Sequence, residues 1–486
     1  MPDEAAPTSP FPYGVASGDV THDAVVLWTK TAPGTTLAWW CEPVGGETGA
    51  LTGEATSDET TGSVHVALTG LGAGVQHRYS FRSPDGESTE GQFRTIPTDR
   101  TVKFAVVSCA KHNSGFFNAY RAVARMDDLD FVLHLGDYIY EAAEVPTGKQ
   151  TKGADIGRPM EPLNDCMTRE DYDKRYALYR RDADLQLLHS RHAMMATIDD
   201  HELSDNAWVG GAQEHDDAVD GLWTDRVHAA MTVWHDWMPT MRRPQDGDPI
   251  WQQIDLGTAG RILLCETRLS RSNPDDPKTD AKTALGLPQR EWALETLAEK
   301  HDGWTFLAVP SMMSDLDKAI GDEEALFALH KLKMAEADDP SSFHDLWDSF
   351  DFEQDALMDA VAADPRAIAL SGDVHFSAEH RADFRVGEFV EWTVTSITSP
   401  NLDDKMGWPR GTQSKDYESA FLRNLPDLRW CDLDSHGFLV IEASVQRLSC
   451  QWWFVDTVIE LSDEVVLGHE VVLPAYPEGT TAEEAA

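Results

Sequence analysis

Four short apolar runs in this chain each end on residues that bind metal ions well. They are Val106-Val-Ser-Cys109, Phe131-Val-Leu-His-Leu-Gly-Asp137 (continuing to Tyr140), Ala196-Thr-Ile-Asp-Asp-His-Glu202 and Ile368-Ala-Leu-Ser-Gly-Asp-Val-His375. Asp137 offers two oxygens and can bridge a pair of cations. Asp200 and Asp373 are hard oxygen donors, and His375 brings an imidazole nitrogen. Cys109 as thiolate and Tyr140 as phenolate are the unusual members. Their ordinary pKa values, near ~8.5 and ~10, call for a strongly polarising ion. Sulfur and phenolate at one end with carboxylates at the other predict two dissimilar metals. An iron-like ion suits the first set, and calcium, magnesium or manganese the second. Two cations about 3.5–4 Å apart clamp a phosphoryl group, generate hydroxide from water and stabilise developing charge. His201, between Asp200 and Glu202, is the expected proton donor to the leaving oxygen, kept charged by neighbouring carboxylates.

Each piece alone has an ordinary explanation. Gly136-Asp137 reads as a turn after a strand, Asp199 to Glu202 as a helix start with Asp as N-cap, Cys109 as a buried hydrophobe and Tyr140 as packing. Four strand ends of this kind have no shared ordinary cause, and the metal reading rests on their coincidence. Other chemistries lack their signatures. Gly-x-Ser-x-Gly is absent, and Gly45-Gly46 is a hairpin turn because no Lys-Ser/Thr follows it.

The elements that must carry these residues follow from periodicity. Residues 11–97 read as an all-β sandwich with strands near Val25–Thr29, Thr36–Trp40, Val64–Leu68 and His77–Phe81, and Thr95 to Asp99 reads as a linker. From 101 to 472 apolar strands alternate with amphipathic helices at Asn118–Met126, Glu170–Arg181, Leu222–Met238, Pro288–Lys300 and Asp351–Ala363. In the fourth helix Trp292, Leu294, Leu297 and Ala298 are expected on one buried stripe. The alternation predicts a layered α/β domain whose ligands gather at the carboxyl ends of strands. The acidic segment Asp315–Pro340 is expected to hold an inserted surface helix over the site. Residues 1–10 and 473–486 read as tails.

Composition narrows the function classes. The 486 residues carry 40 Lys plus Arg against 84 Asp plus Glu, a net charge of −44, which excludes nucleic acid as a structural partner at low salt. With 16 Trp the chain is folded rather than disordered, and the scattered acid reads as a surface built for high salt in a halophile. The six cysteines form no Cys-x-x-Cys pair, and Cys265 and Cys450 read as inert core thiols. No apolar run approaches the ~20 residues of a transmembrane helix. No export signal is visible at the start, so the expectation is a cytoplasmic protein as recorded, or an extracellular one if a twin-arginine signal was removed.

Jointly these motifs resemble the PhoD-like alkaline phosphatase and phosphodiesterase family, a branch of the calcineurin-like metallophosphoesterases. Phe11-Pro-Tyr-Gly-Val-Ala-Ser-Gly-Asp19, Trp392-Thr-Val-Thr-Ser-Ile-Thr-Ser-Pro400 and His436-Gly-Phe438 extend the resemblance over nearly the whole chain. It implies a four-layer αββα domain behind a small immunoglobulin- or fibronectin-like sandwich. It also implies Fe(3+) on Cys109, Asp137, Tyr140 and His375, Ca(2+) on Asp137, Asp200 and Asp373, a bridging Asp137, and His201 at the phosphate. The implied activity is hydrolysis of phosphate mono- or diesters, releasing inorganic phosphate from a monoester. The alternatives are a nucleotidase or purple-acid-phosphatase-like enzyme using iron with Zn(2+) or Mn(2+), or a non-catalytic metal-bound protein that binds a surface polymer. Cys265-Glu-Thr-Arg268 departs from the family's Asp-Thr-Arg. Arg158, Arg175, Arg180 and Arg268 are the basic residues expected near the cleft, although pairing with surface acid is the commoner fate of any one of them.

Overall fold

The computed structural model describes residues 9–45, 49–143, 156–316, 321–332, 345–384 and 386–474. Two large sheets form its centre. One has nine strands in the order Val465–Pro474, Arg447–Val455, Gly437–Ser444, Val102–Val107, Phe131–His134, Met194–Ala196, Val15–Gly18, Ala24–Lys30 and Ser63–Thr69. The other has seven, in the order Gln252–Asp255, Gly260–Leu264, Trp304–Ser311, Ala367–Gly372, Gly387–Thr393, Ser377–Phe384 and Leu428–Asp432.

The strands that end at the predicted ligands are buried on both faces, which is why they read as unbroken apolar runs rather than as alternating ones. Phe104, Val106, Phe131 and Leu133 of the first sheet pack on Ile262, Phe306, Ile368 and Leu370 of the second. The Phe104 and Phe306 rings meet edge to face at 5.7 Å. Helices Asn118–Ala124, Arg169–Arg180, Ala183–Arg191 and Trp223–Trp237 cover the outer face of the first sheet. Helices Leu287–Ala298 and Asp351–Ala362 cover that of the second. The result is the expected αββα sandwich. The five expected helices are all present, each within two residues of its expected bounds.

The amino-terminal strands make the expected β-structure, with one addition. Leu51–Thr56, Thr36–Pro43, Gln76–Ser83, Gly86–Glu87 and Gly91–Arg94 form a separate five-stranded sheet. Its partner layer, Val15–Gly18, Ala24–Lys30 and Ser63–Thr69, is the end of the nine-stranded sheet, joined through a parallel bridge of Gly18 with Met194.

One local expectation needs correction. The buried side of Leu287–Ala298 is formed by Gln289, Ala293, Thr296 and Leu297, whereas Ala298 is exposed and Trp292 and Leu294 are half-buried. The Gln289 amide sets this rotation by bonding the Glu266 backbone at both N–H and C=O (2.9 and 2.8 Å). Within the acidic segment, helix Glu323–Leu332 packs on helices Leu402–Met406 and Ser414–Asn424, and residues 317–320 and 333–344 lie outside the described ones. The tails fall almost entirely outside them as well. No helix among the described residues is long and apolar enough to cross a membrane.

All six cysteines are buried and free. Burial also holds two imidazoles neutral: His134 is lowered to about 3 by burial alone, and His192 to about 4 by burial and then Arg191. Unfolded histidine titrates near ~6.5, so this stability is complete above that pH and drains as pH falls toward 4. Each imidazole is expected to cost on the order of 1–2 kcal/mol at pH 5. Urea midpoints at pH 7.5, 6 and 5 check this, and a midpoint unchanged across that series contradicts it.

Candidate metal centre

The carboxyl ends of the parallel strands Val102–Val107, Phe131–His134 and Met194–Ala196 lead into Cys109, Asp137 and Asp200. The end of Ala367–Gly372 in the facing sheet leads into Asp373 and His375. The backbone is forced at these points. Cys109, Asp137, Asp373 and His375 all have left-handed φ (59°, 56°, 68° and 58°), a conformation that costs a non-glycine residue free energy and clusters at functional sites. Two glycines let the loops close. A Cβ on Gly136, itself at φ 101°, would lie 2.6 Å from the Asp199 amide, and one on Gly372 would lie 2.7 Å from Ser108 Oγ.

Glu202 ties the loops together. Its buried carboxylate accepts from the amides of Asp137 (3.0 Å), Tyr138 (2.6 Å) and Asp199 (2.7 Å). On the far side, the amides of Thr398 and Ser399 donate to the Cys109 carbonyl (3.4 and 3.2 Å). The segment from Trp392 to Pro400 is thereby hung on the site. His436 anchors this loop through Ser396 Oγ (3.0 Å) and through Asp404 (3.0 Å).

Three overlapping groups of donor atoms result, each with its atoms within 4.8 Å of one another: Cys109, Asp137 and His375; Asp137, Asp200 and His201; and Asp199, Asp200 and Asp373. Tyr140 completes the first, its hydroxyl donating to Asp137 Oδ2 (2.7 Å) and lying 3.1 Å from His375 Nε2. All six residues read from the sequence as ligands, together with His201, are therefore in one place. Asp199 takes the expected N-cap place before Asp200–Glu202 and also joins the acidic group. Its signal was the doubled Asp at a strand end, where adjacent side chains would normally diverge.

The electrostatics are those of a site suited to added positive charge. Burial, then Asp137 and Asp373, raises the Cys109 thiol, and burial, then Asp137 and Cys109, raises the Tyr140 hydroxyl. Burial raises Asp373, with Asp199 and Asp345 adding to it; it also raises Asp137 despite the opposing pull of His201. Asp199 Oδ2, Asp200 Oδ1 and His375 Nδ1 are buried with no hydrogen-bond partner. Buried acids that resist ionising, with lone pairs left over and sulfur, phenol and imidazole beside them, fit a cation pair.

His201 sits against this cluster. Its Nδ1 is 2.7 Å from Glu141 Oε2, and its ring centre is 4.0 Å from that of Tyr140. Burial works against its charge, but Asp200, Glu141 and Asp137 outweigh it and hold the imidazolium well above its ordinary value. Glu141 is lowered to about 2: burial opposes this, and His201 and the Asp205 amide overcome it.

Of the four basic candidates, Arg268 is the one that reaches the acidic group. It is fully buried, donates from Nε to Asp199 Oδ1 (2.5 Å), stands 3.7 Å from Asp200 and pairs with Asp345 through its terminal nitrogens. Glu266, the departure from the family motif, accepts from the Arg268 and Leu269 amides (2.8 and 2.9 Å) and so shapes this turn. Arg158 pairs with Asp182 (2.6 Å), Arg175 binds the backbone carbonyls of Tyr140, Glu161 and Pro162, and Arg180 lies over Trp28 (4.1 Å).

Comparison with known proteins gives a consistent answer. The chain is 27% identical over 428 residues to alkaline phosphatase D of Bacillus subtilis (strain 168), covering 80% of this chain and 70% of that protein. The solved structure of PhoD superposes with a TM-score of 0.81 at 22% identity, over 98% of this chain and 92% of that one. The profile of the PhoD-like phosphatase N-terminal domain matches residues 2–97, and that of the PhoD-like phosphatase matches residues 104–452. With that profile spanning most of its length, the chain belongs to the PhoD-like phosphatase family and is a metal-dependent phosphoesterase.

Proposed function

We propose that this phosphoesterase hydrolyses mono- and diesters at a site for two dissimilar cations. Cys109, Asp137, Tyr140 and His375 would hold Fe(3+), and Asp137, Asp200 and Asp373 would hold Ca(2+), with Asp199 beside them. The observation that supports this division is that Asp137 groups with Cys109, His375 and the Tyr140 hydroxyl and separately with Asp200, which in turn groups with Asp199 and Asp373. When bound, the cations supply Lewis acidity to water and to the phosphoryl oxygens.

The chain's own groups do the rest. Asp137 reaches both donor sets and would bridge them. Glu141 fixes His201 by its Nδ1, leaving Nε2 to hand a proton to the departing alkoxide opposite the incoming nucleophile. Glu202 and Arg268 hold the loops and balance charge without entering the reaction. Positioning and charge neutralisation would supply most of the acceleration.

Elemental analysis of purified enzyme, with turnover of nitrophenyl mono- and diesters in high salt to suit the −44 charge, tests the assignment. The expected result is bound iron, visible colour from a ferric phenolate, and activity lost to chelator and restored by calcium. A colourless, iron-free and fully active preparation removes the role proposed for Tyr140. Iron accompanied by zinc or manganese instead of calcium would favour the purple-acid-phosphatase-like alternative.

A further inference from the structure

With the arginines engaged as described, the thiol and imidazole end of the site is served by lysine. Lys111 stands two residues beyond Cys109, with Nζ 5.1 Å from the centre of the Tyr140 ring. The hydroxyl of that ring is the group bonded to both Asp137 and His375. The backbone under Lys111 is fixed from two sides, its carbonyl accepting from Thr398 Oγ1 (2.8 Å) and from the Ser114 amide (3.1 Å). Lys405 approaches from helix Leu402–Met406, which continues the loop bonded to Cys109, and its Nζ donates to the Leu332 carbonyl (3.1 Å). The charges of both lysines bear on His375. At the opposite end stand Asp199, Asp200 and Asp373, faced by the buried Arg268 and Arg271.

From this juxtaposition we propose that Lys111, assisted by Lys405, is a specificity-determining residue that favours phosphate monoesters over diesters. The inference rests on the phosphoesterase reading of the site. A monoester dianion carries one more negative charge and one more free oxygen than a diester monoanion. An ammonium beside Tyr140 acts on that difference, because a lysine head is a compact point charge on a flexible stem. An ammonium offers no lone pair to a cation, so removing Lys111 is expected to leave the metal groups of Cys, Asp and His residues intact.

The test uses the full-length, metal-loaded enzyme with 4-nitrophenyl phosphate and bis(4-nitrophenyl) phosphate at pH 8 and fixed ionic strength. For Lys111→Met, kcat/KM for the monoester is expected to fall about tenfold and for the diester by less than about threefold. The inhibition constant of inorganic phosphate should rise by about the same tenfold. Lys111→Arg should keep the parent ratio of the two esters, which a role limited to packing on Tyr140 would not require. Lys405→Met should shift the ratio in the same direction by about two- to threefold. An unchanged ratio and phosphate affinity in Lys111→Met overturn the inference, as does an Arg variant that behaves like Met. Failure of the parent enzyme on both esters is a different result, and overturns the phosphoesterase reading itself.

Discussion

Asp137→Asn is expected to lower turnover of a nitrophenyl phosphodiester by about a thousandfold or more. The exchange keeps size and shape but removes the charge that two donor groups share. It also sets an amide against the Tyr140 hydroxyl, which now donates to Asp137 Oδ2 at 2.7 Å. The backbone gives no competing explanation, because asparagine accepts the left-handed φ of 56° about as readily as aspartate. The far-ultraviolet spectrum should therefore match the parent while bound metal falls at both positions. Parent-level turnover by this variant would mean that the cluster is not the catalytic centre.

Arg268→Met should have the second large effect, on stability. The guanidinium is fully buried and faces Asp199, Asp200 and Asp345. Removing one partner from such a network leaves charge buried without compensation, a loss of about 3–5 kcal/mol. The size of the loss should depend on metal. In chelator the variant should unfold at markedly lower urea than the parent. Excess divalent cation should return part of the difference, since it supplies positive charge to the same carboxylates. Equal midpoints in chelator would show that Arg268 is not what balances these acids.

How much was readable beforehand depended on whether local pattern and tertiary role agreed. Phe131–His134 and Ala367–Gly372 are buried on both faces, so their apolar runs announced central strands, and the candidate ligands beyond them announced the cluster. The strands Ser377–Phe384 and Gly387–Thr393 went unrecognised. Their buried Glu379, His380 and Glu391 imitate a polar loop until the partners appear, such as the Met313 and Ser314 amides on Glu391 (2.7 and 2.8 Å). Helix Ala183–Arg191 is too short to set up a clear period, and its start depends on Asp182 accepting from the Asp184 and Leu185 amides. Asp199 and Lys111 were missed for a related reason. An N-cap aspartate and a loop lysine are ordinary by type, and only the meeting of distant loops sets them apart.

The parallel bridge between Gly18 and Met194 bears on how this enzyme can be divided. Met194–Ala196 is the strand that delivers Asp200 and His201, and among the described residues the amino-terminal strands pair with it on that flank. Trimming the chain back to the hydrolase portion would turn an interior strand into an unprotected sheet margin, open to pairing with other molecules. The amino-terminal unit is thus a splint for the strand that carries Asp200 and His201.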